Sequence, residues 1–153
     1  MEITKIPHKV LRNKTRIIPV EDIKNGLYKE LVLDMKRSMI EHQGVGLAAN
    51  QVGKDLSIFV IDENLALTNE ASSVYFNPEI TESSKDSEDM EEGCLSIPEY
   101  FRPIKRSKKI KIKFIDEHGN KIKTKARGFL ARVLQHETDH LYGTVIKDRF
   151  EKK

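Results

Sequence analysis

Near its carboxyl end the sequence contains the run Gln135-His136-Glu137-Thr138-Asp139-His140-Leu141-Tyr142-Gly143. On an α-helix, residues four apart lie on one face, with their Cβ atoms about 5–6 Å apart. His136 and His140 have this spacing, so both imidazoles can bind one metal ion. Glu137 follows the first histidine, where its carboxylate can contact a water on the metal without binding the metal itself. The run therefore predicts a metal-binding helix with an adjacent general base.

A third ligand is needed, because two histidines are too few for a tight site and the five-residue pattern also occurs by chance. The chain contains one cysteine, Cys94, in the run Glu91-Glu92-Gly93-Cys94-Leu95-Ser96-Ile97-Pro98. A lone cysteine is more often a small buried apolar residue than a ligand. Beside a two-histidine helix, however, its thiolate would complete a set of one sulfur and two nitrogens. That set leaves a fourth position open for water.

Length and composition indicate one soluble domain spanning residues 1–153, with 38% apolar and 33% charged residues. No apolar run approaches the roughly 20 residues that span a bilayer, and the first residues lack the apolar core of a secretory signal. One cysteine cannot form an internal disulfide, which favours a reducing compartment, the cytoplasm. A formal net charge of +3 is too small to indicate nucleic-acid binding by itself, so no specific DNA partner is expected.

Residues 22–42 show the periodicity of an amphipathic helix. Apolar residues recur at every fourth position, with two more beside them: Ile23, Leu27, Leu31, Met35, Met39, Val32 and Ile40. Asp22 is the expected N-cap and Gly44 the expected stop. We predict one buried stripe along this helix. The preceding residues 1–20 contain two prolines and are expected to form an extended arm with turns.

Two apolar runs rich in β-branched and aromatic residues predict strands at residues 57–62 and 74–78, the second ended by its proline. Residues 64–73, between them, are predicted to form a loop. The acidic residues 82–92 are expected to form a second, solvated loop, with Met90 turned inward.

Further along, Ile110, Ile112 and Phe114 alternate with lysines, as on a half-buried strand. A turn at residues 118–120 joins this strand to residues 121–125, which predicts a hairpin. The metal-binding helix follows. Together these elements predict an α+β fold, with small antiparallel or mixed β-sheets packed around a C-terminal metal-binding helix and a second amphipathic helix near the N-terminus.

A stretch rich in glycine and alanine follows the first helix, Gly44-Val45-Gly46-Leu47-Ala48-Ala49-Asn50-Gln51-Val52-Gly53. Glycines at alternate positions allow the backbone to approach a ligand closely. The spacing is neither that of the dinucleotide fingerprint nor that of the P-loop, so nucleotide binding is rejected. Gln51 is the polar group best placed to face a site, although composition alone would make it an ordinary surface amide.

The segment 102–113 carries seven basic side chains, Arg102, Lys105, Arg106, Lys108, Lys109, Lys111 and Lys113. A contact with ribosomal RNA is one interpretation of this run. The other is that the lysines occupy the solvent-exposed face of a half-buried strand. We favour the second, because apolar residues alternate with the lysines.

Three of the segments quoted above, residues 44–51, 92–96 and 135–143, occur together in this chain. In order and separation they closely resemble the three signature motifs of the peptide deformylases. The opening run Ile6-Pro7-His8-Lys9-Val10-Leu11-Arg12 is similar to the family's N-terminal segment, and Lys147-Asp148-Arg149 to its tail. The resemblance therefore covers essentially the whole chain.

The resemblance implies a hydrolase that removes the N-formyl group from the formyl-methionine of nascent polypeptides and releases formate. Cys94, His136 and His140 would bind one divalent metal ion. The family implies Fe(2+) in cells, with Zn(2+), Ni(2+) or Co(2+) suited to the isolated protein. N-formylmethionyl nascent peptides are the implied partners, with a transient ribosome contact as a further candidate.

The implied mechanism uses a metal-bound water as the nucleophile. Glu137 takes its proton as a general base and later delivers it to the departing amine as a general acid. The developing oxyanion needs hydrogen-bond donors. By resemblance these are the side-chain amide of Gln51 and the backbone N–H of Leu95, so the surface interpretation of Gln51 is replaced.

The implied substrate is an extended peptide that begins with a methionine side chain. Backbone around Val45, Gly46 and Gly93 can pair with it as an added strand. The candidates for the methionine pocket are Val45, Leu95, Phe129 and Val133.

Two features are less typical of the family. The chain stops ten residues after Gly143, without the longer C-terminal helix of some members. Arg132 stands one turn before His136, beside the expected substrate pocket, where an apolar residue would be unsurprising. Gln135 and Asp139 flank the ligands, and either is a candidate to orient a histidine through its second ring nitrogen.

Two other functions share part of this pattern. A zinc endopeptidase also carries H-E-x-x-H, but its third ligand is usually a downstream glutamate or histidine. The last ten residues contain Asp148 and Glu151 but no histidine. A structural metal module would need a fourth protein ligand from His8, His42 or His118, each more simply a surface residue.

Overall fold

A computed structural model of the protein describes residues 1–151. Within that range the chain forms five α-helices: α1 (Val20–Lys24), α2 (Lys29–Glu41), α3 (Glu63–Thr68), α4 (Gly128–Leu141) and α5 (Ile146–Glu151). The same range contains seven strands: β1 (Gly46–Ala48), β2 (Ile58–Ile61), β3 (Val74–Ser83), β4 (Ser87–Cys94), β5 (Ile97–Ser107), β6 (Lys109–Ile115) and β7 (Lys121–Arg127). Two short 3₁₀ helices are Lys9–Leu11 and Ala49–Val52. None of the described helices is long and apolar enough to cross a membrane.

The strands of the described chain form two antiparallel sheets. The larger has the order β1-β2-β3-β6-β7, and the smaller pairs β4 with β5. On β2, Phe59 and Ile61 pack with residues of α4, whereas Ile58 and Val60 pack with residues of α2. The larger sheet is thus covered on both faces at β2, which explains the unbroken apolar run there. The predicted α+β class is confirmed.

Helix α4 packs against one face of the larger sheet. Leu130, Leu134 and Leu141 are buried there, and each buried leucine contributes about 1.5–3 kcal/mol. Gly128 adopts a φ of +64°, which lets the chain turn from β7 directly into the helix. Tertiary packing therefore fixes the position of the helix that carries the two histidines.

The single helix predicted at residues 22–42 is wrong, because the chain forms α1 and α2 with a turn between them. Gly26 in that turn has a φ of +75°, a left-handed conformation that ends α1. Leu27 also falls in the turn and is 64% exposed. Asp22 is not the N-cap, since α1 begins at Val20. The two methionines of α2 are nevertheless buried as predicted.

Two further predictions are wrong. Residues 64–73 do not form only a loop, and the following strand does not end at Pro78. Helix α3 begins after Asp62, whose side chain accepts a hydrogen bond from Leu65 N at 3.1 Å. Strand β3 continues past Pro78, and the register of its pairing with β6 shifts there. A proline is tolerated at such a bulge because no ladder hydrogen bond is required of it.

The acidic residues 82–92 do not form a solvated loop, since most of them lie on β3 and β4. Strand β4 pairs with β5, where Glu88 lies opposite Arg106 and Asp89 lies opposite Lys105. Such opposite charges stabilise cross-strand pairing. Met90 is 40% exposed instead of turned inward.

The hairpin of β6 and β7 is confirmed. Ile110, Ile112 and Phe114 are buried, and the lysines between them are exposed. The lysines of β6 thus lie on the solvent-exposed face of a half-buried strand, as predicted. The same prediction is wrong for Arg106 on β5, which is buried.

Candidate metal centre and active site

Cys94, His136 and His140 converge at one end of α4. One potential ligand atom from each side chain lies within 4.8 Å of the other two. Cys94 Sγ is 3.3 Å from His140 Nε2. One sulfur and two imidazole nitrogens suit a divalent transition-metal ion such as zinc, iron, cobalt or nickel. These side chains therefore fit the metal ion expected from the sequence.

Cys94 reaches the histidines because β4 is irregular before it turns into β5. The pairing register shifts between Glu92 and Cys94, and Cys94 then lies opposite Ile97. Such a bulge changes the direction in which the next side chain points. At Gly93, inside the irregular segment, a Cβ would lie 2.3 Å from the ring of Phe101. A side chain at this position would therefore force the ring of Phe101 to move.

The neighbours of Cys94 favour its thiolate form. Burial raises the pKa of the thiol, but His140 and His136 outweigh this effect and hold the pKa well below its ordinary value. The thiolate is the form of cysteine that binds metal ions. The charge state of Cys94 is therefore suited to a ligand.

Glu137 lines the same cavity and is 4% exposed. Burial raises the pKa of its carboxyl group above the ordinary value. Its Oε1 atom has no hydrogen-bond partner among the described residues. A buried carboxyl group with a free oxygen and a raised pKa is suited to exchange a proton with a bound molecule.

Gly46 on β1 makes room for Glu137. A Cβ at Gly46 would lie 2.6–2.8 Å from three atoms of the Glu137 side chain. Contacts this short force one of the two groups to move. The close approach of β1 to α4 therefore sets the position of the carboxyl group.

Glu92 connects the metal-ligand cluster to a buried network of charges. His136 Nδ1 and Glu92 Oε1 are 2.8 Å apart in a hydrogen bond. Arg106 donates to both oxygens of Glu92 at 3.0 Å, and Arg132 donates to Oε2. Burial raises the pKa of Glu92, but hydrogen bonds from His136 and Arg106 lower it to about 2. An ionised carboxylate in this position fixes the orientation of a histidine ring.

Sequence reasoning does not identify Glu92 or Arg106, because both lie in runs of like charge that suggest a solvated surface. It offers Gln135 and Asp139 instead. The structure gives them other partners, since Asp139 accepts a hydrogen bond from Arg106 and Gln135 bonds to the backbone of Ser107. One signal in the sequence could have revealed the pairing of Glu92 with Arg106. The acidic residues 82–92 precede the basic residues 102–113, and two antiparallel strands would place these runs side by side.

Arg132 lines the cavity, but its guanidinium group belongs to the charge network. Besides Glu92, it donates to the backbone oxygens of Ile104 at 2.8 Å and Glu88 at 2.6 Å. One side chain thus joins α4 to both strands of the smaller sheet. These contacts explain why position 132 carries an arginine, although the sequence suggested an apolar residue beside the substrate pocket.

Gln51 and Leu95, the predicted oxyanion donors, both border the cluster. Gln51 lies on the 3₁₀ helix Ala49–Val52 and is 2% exposed, so it is not a surface amide. Its Oε1 accepts a hydrogen bond from Ala48 N at 2.9 Å, and its Nε2 lies 3.5 Å from Cys94 Sγ. Nε2 also donates to Ser96 Oγ at 3.2 Å, so the amide group lies between Ser96 and the ligand cluster. Leu95 directly follows Cys94 and lines the cavity.

The cluster opens onto a cavity of about 860 Å³. Its walls include the five residues predicted to bind substrate, Val45, Gly46, Gly93, Phe129 and Val133. Val45 and Phe129 are each 47% exposed, whereas Val133 is buried. Phe101, which the sequence does not single out, also lines the cavity and packs against Gly93.

The three remaining histidines lie outside the ligand cluster. His8 Nδ1 accepts a hydrogen bond from Val10 N, and His42 Nδ1 is 2.8 Å from Ser38 O. His118 is exposed. Within residues 1–151, the one group of side chains placed to hold a metal has three members. A fourth protein ligand, which a closed structural site would need, is not supplied there.

Comparison with known proteins decides between the functions that this site allows. The family model described as polypeptide deformylase matches residues 1–153. The chain belongs to the polypeptide deformylase family. It is therefore an enzyme of the hydrolase class, and the alternatives of a zinc endopeptidase and a structural metal module are set aside.

Relatives in sequence agree with this assignment. Peptide deformylase 1 of Clostridium perfringens (strain 13 / Type A) is 50% identical over 139 residues, which cover 91% of this chain and 90% of that protein. A peptide deformylase of Prochlorococcus marinus (strain MIT 9312) is 41% identical over 154 residues, covering 100% of this chain and 75% of the relative.

Solved deformylase structures share the fold. The peptide deformylase of Thermotoga maritima superposes with a TM-score of 0.87 at 38% identity, covering 98% of this chain and 97% of the other. The actinonin-bound class I type b enzyme of Acinetobacter baumannii has a TM-score of 0.89 at 31% identity, with 97% of each chain covered. Deformylases are metalloenzymes, and the cluster of Cys94, His136 and His140 is consistent with that property.

Proposed function

We propose that this deformylase removes the formyl group from N-formylmethionyl peptides and releases formate, with residues 1–153 acting as one catalytic domain. Family membership supports the reaction class. The observation that carries the proposal is the convergence of Cys94, His136 and His140 beside the buried Glu137. Nascent polypeptides made in the cytoplasm are the proposed substrates, in keeping with the reduced state expected of a lone cysteine.

Cys94, His136 and His140 would hold the metal ion. A divalent ion held there supplies Lewis acidity, which lowers the pKa of a bound water towards neutrality. One thiolate and two neutral imidazoles would compensate one of the two charges of a divalent ion, and the remaining positive charge preserves part of that acidity. Glu92 holds the ring of His136 through Nδ1, which leaves Nε2 for the ion.

Glu137 is the proposed general base and acid. It takes a proton from the attacking water and delivers it to the peptide nitrogen as the C–N bond of the formamide breaks. Burial raises the pKa of Glu137 in the direction of neutral pH. A carboxyl group with a pKa closer to the working pH can both accept and return a proton. The products are formate and a peptide with a free amino terminus.

Gln51 and Leu95 are the proposed donors to the oxyanion of the tetrahedral intermediate. Gln51 Nε2 lies beside Cys94, and its carbonyl oxygen is fixed by Ala48 N. Such preorganised donors stabilise charge that develops in the transition state.

The peptide is proposed to bind along β1. This strand lies at the edge of the larger sheet, so one side of its backbone is free of strand partners within that sheet. Backbone near Val45, Gly46 and Gly93 would pair with the extended peptide. The methionine side chain would enter the cavity beside Leu95, Phe129 and Val133, which line it.

A formate-release assay tests the proposed reaction. The metal-loaded enzyme is given a formyl-methionyl tripeptide, the same peptide without the formyl group, and casein. We expect stoichiometric formate and free amine from the first substrate and no cleavage of the other two. Cleavage of internal peptide bonds, or absence of formate release, would overturn the proposal.

Gln51→Leu is expected to reduce kcat by about 10²–10³-fold, because one oxyanion donor typically contributes that much. The KM value should change little, since the donor acts mainly on the transition state. Steady-state kinetics measure both constants, and the unfolding midpoint controls for misfolding. A larger effect on KM than on kcat would assign Gln51 to substrate binding instead.

Gly46→Ala is expected to reduce kcat/KM by about 10²-fold, the typical cost of a misplaced catalytic group. The new methyl group would collide with the carboxyl group of Glu137. The unfolding midpoint and the metal content of the variant control for misfolding and for loss of the ion. Wild-type kinetics in Gly46→Ala would show that Gly46 does not position Glu137.

Fe(2+) is the proposed metal in cells, with Zn(2+), Ni(2+) or Co(2+) able to replace it in the isolated protein. A ferrous ion beside the Cys94 thiolate should react with oxygen. Aerobic purification is therefore expected to lose activity that anaerobic purification keeps, and added nickel should restore it. Metal analysis and formate release measure the two properties together. Equal activity after both preparations would count against iron.

A further inference from the structure

The segment Lys147-Asp148-Arg149 lies on helix α5 and has no part in the proposed reaction. This end of the chain packs beside the metal-ligand cluster, because Val145 and Ile146 belong to the apolar cluster against which Cys94 packs. Two ion pairs join α5 to other segments, one through Asp148 and one through Arg149. Only the second leads to a metal ligand.

Arg149 holds the carboxylate of Asp139 with two hydrogen bonds. Its Nε donates to Oδ2 at 3.0 Å, and its Nη2 donates to Oδ1 at 2.7 Å. Asp139 lies in the last turn of α4, where the helix dipole disfavours a negative charge. Its side chain is 13% exposed, so water screens the charge little. Arg149 therefore offsets an unfavourable charge and fixes the plane of the carboxylate.

Asp139 in turn holds Arg106. The Oδ2 atom that accepts from Arg149 also accepts a hydrogen bond from Arg106 Nη1. Another edge of the Arg106 guanidinium group binds both oxygens of Glu92, and Glu92 Oε1 bonds to His136 Nδ1. A guanidinium group is a rigid planar fork, so a rotation at one end moves the other end. The position of Asp139 is thus transmitted to the ring of His136.

The other ion pair of α5 is an ordinary surface pair. Arg12 Nη1 donates to Asp148 Oδ2 at 2.6 Å, and the two side chains are 41% and 39% exposed. Pairs this exposed typically contribute little to stability. Asp148 also accepts a hydrogen bond from Val145 N at 2.9 Å. Neither contact of Asp148 involves a side chain of the Glu92 network, so this pair provides a comparison within the same helix.

We propose that Arg149 is a positioning residue for the metal centre. It acts on the ring of His136 through three side chains, Asp139, Arg106 and Glu92. The role is geometric, because the network keeps the ring in the orientation that leaves Nε2 for the ion. This inference rests on the proposed function in one respect, that His136 is a metal ligand.

The zinc affinity of the full chain tests the proposal and is measured by competition with a fluorescent chelator. Arg149→Ala should raise the Kd for Zn(2+) by about three- to tenfold, less than the roughly 10–100-fold typical of a residue that directly contacts a ligand. Arg12→Ala removes the same charge from the surface pair of α5 and should change the Kd by less than about twofold. Arg149→Lys keeps the charge without the fork and should recover only part of the lost affinity.

The visible absorption bands of the Co(2+)-loaded protein report the geometry of the ligands. At saturating Co(2+), we expect these bands to change in Arg149→Ala and to remain unchanged in Arg12→Ala. A general loss of stability would not alter the spectrum of a folded, saturated site. Circular dichroism shows whether each variant is folded. If Arg149→Ala does not fold, Arg149→Lys serves for the same comparison.

Glu92→Gln interrupts the proposed route between Arg149 and His136. In the Glu92→Gln background, adding Arg149→Ala should change the Kd for Zn(2+) by less than about twofold, because the two substitutions act on one network and are not additive. The same loss with and without Glu92→Gln would show that Arg149 does not act through Glu92, and would overturn the proposal.

Other results would also overturn it. Wild-type zinc affinity, or an unchanged Co(2+) spectrum, in Arg149→Ala would show that Arg149 does not position the ligands. Equal losses in Arg149→Ala and Arg12→Ala would show that Arg149 only docks α5. Full recovery in Arg149→Lys would show that charge suffices without the fork.

These measurements use no substrate, which separates this inference from the proposed function. If the wild type bound zinc but released no formate from the formyl-methionyl tripeptide, the proposed reaction would be refuted and the zinc comparison would still decide the role of Arg149. If it released formate and Arg149→Ala bound zinc as the wild type does, only the role of Arg149 would be refuted.

Discussion

Glu137→Gln is expected to lower kcat for formate release by about 10²–10⁴-fold, the usual contribution of a general acid–base group. Glutamine keeps the shape of the side chain but cannot accept or return the proton. The metal should stay bound, because Glu137 is not among the three clustered ligands. Single-turnover formate release and metal analysis of the same preparation measure the two effects.

The control for this variant is Glu41→Gln, at the exposed end of α2. It removes the same charge far along the chain from the cluster and should leave kcat unchanged. If Glu137→Gln kept wild-type turnover, another group would have to serve as the base. If it lost the metal, Glu137 would be needed for binding, and its assignment as a base would lose support.

Glu92→Ala is expected to lower the free energy of unfolding by about 3–5 kcal/mol, the typical cost of removing one partner from a buried ion pair. Arg132 would lose its counterion, and Arg106 would keep only Asp139. The ring of His136 would also lose its orienting partner, so metal affinity should fall by about 10–100-fold. Urea unfolding of the metal-loaded protein and competition with a chelator measure these changes.

Glu91→Ala is the matched control, because Glu91 is the neighbouring residue on β4 but is exposed. Its free energy of unfolding should lie within about 0.5 kcal/mol of the wild type. A double-mutant cycle with Arg132→Ala should give a coupling energy of about 0.5–3 kcal/mol between Arg132 and Glu92. A coupling energy near zero would show that Arg132 does not stabilise the carboxylate.

The parts of the fold that follow local patterns were predictable from the sequence. Helix α4 repeats its apolar residues at helical spacing, and β6 alternates Ile110, Ile112 and Phe114 with lysines. The convergence of Cys94 with the two histidines was also foreseeable, because the spacing of the histidines predicts a metal site and the segment around Cys94 resembles a motif of the same family. The catalytic roles of Gln51, Leu95 and Glu137 and the pocket residues remain predictions.

The parts that failed depend on contacts between distant segments. Gly26 divides the predicted helix, although the apolar spacing around it is compatible with one continuous stripe. In the sequence, Glu92 and Arg106 look like surface charges. Each can be buried only because it forms an ion pair with the other, which lies on a different strand. A local pattern does not reveal that β4 and β5 place them together in the interior.

The bulged end of β4 has a consequence for the chain as a polymer. It brings a single thiol against a helix that begins more than thirty positions later in the sequence. An ion held by Cys94, His136 and His140 would close that long loop as a cross-link does, and cross-links stabilise by restricting the unfolded chain. A protein with one cysteine, unable to form an internal disulfide, would thereby obtain a comparable tether from its inorganic cofactor.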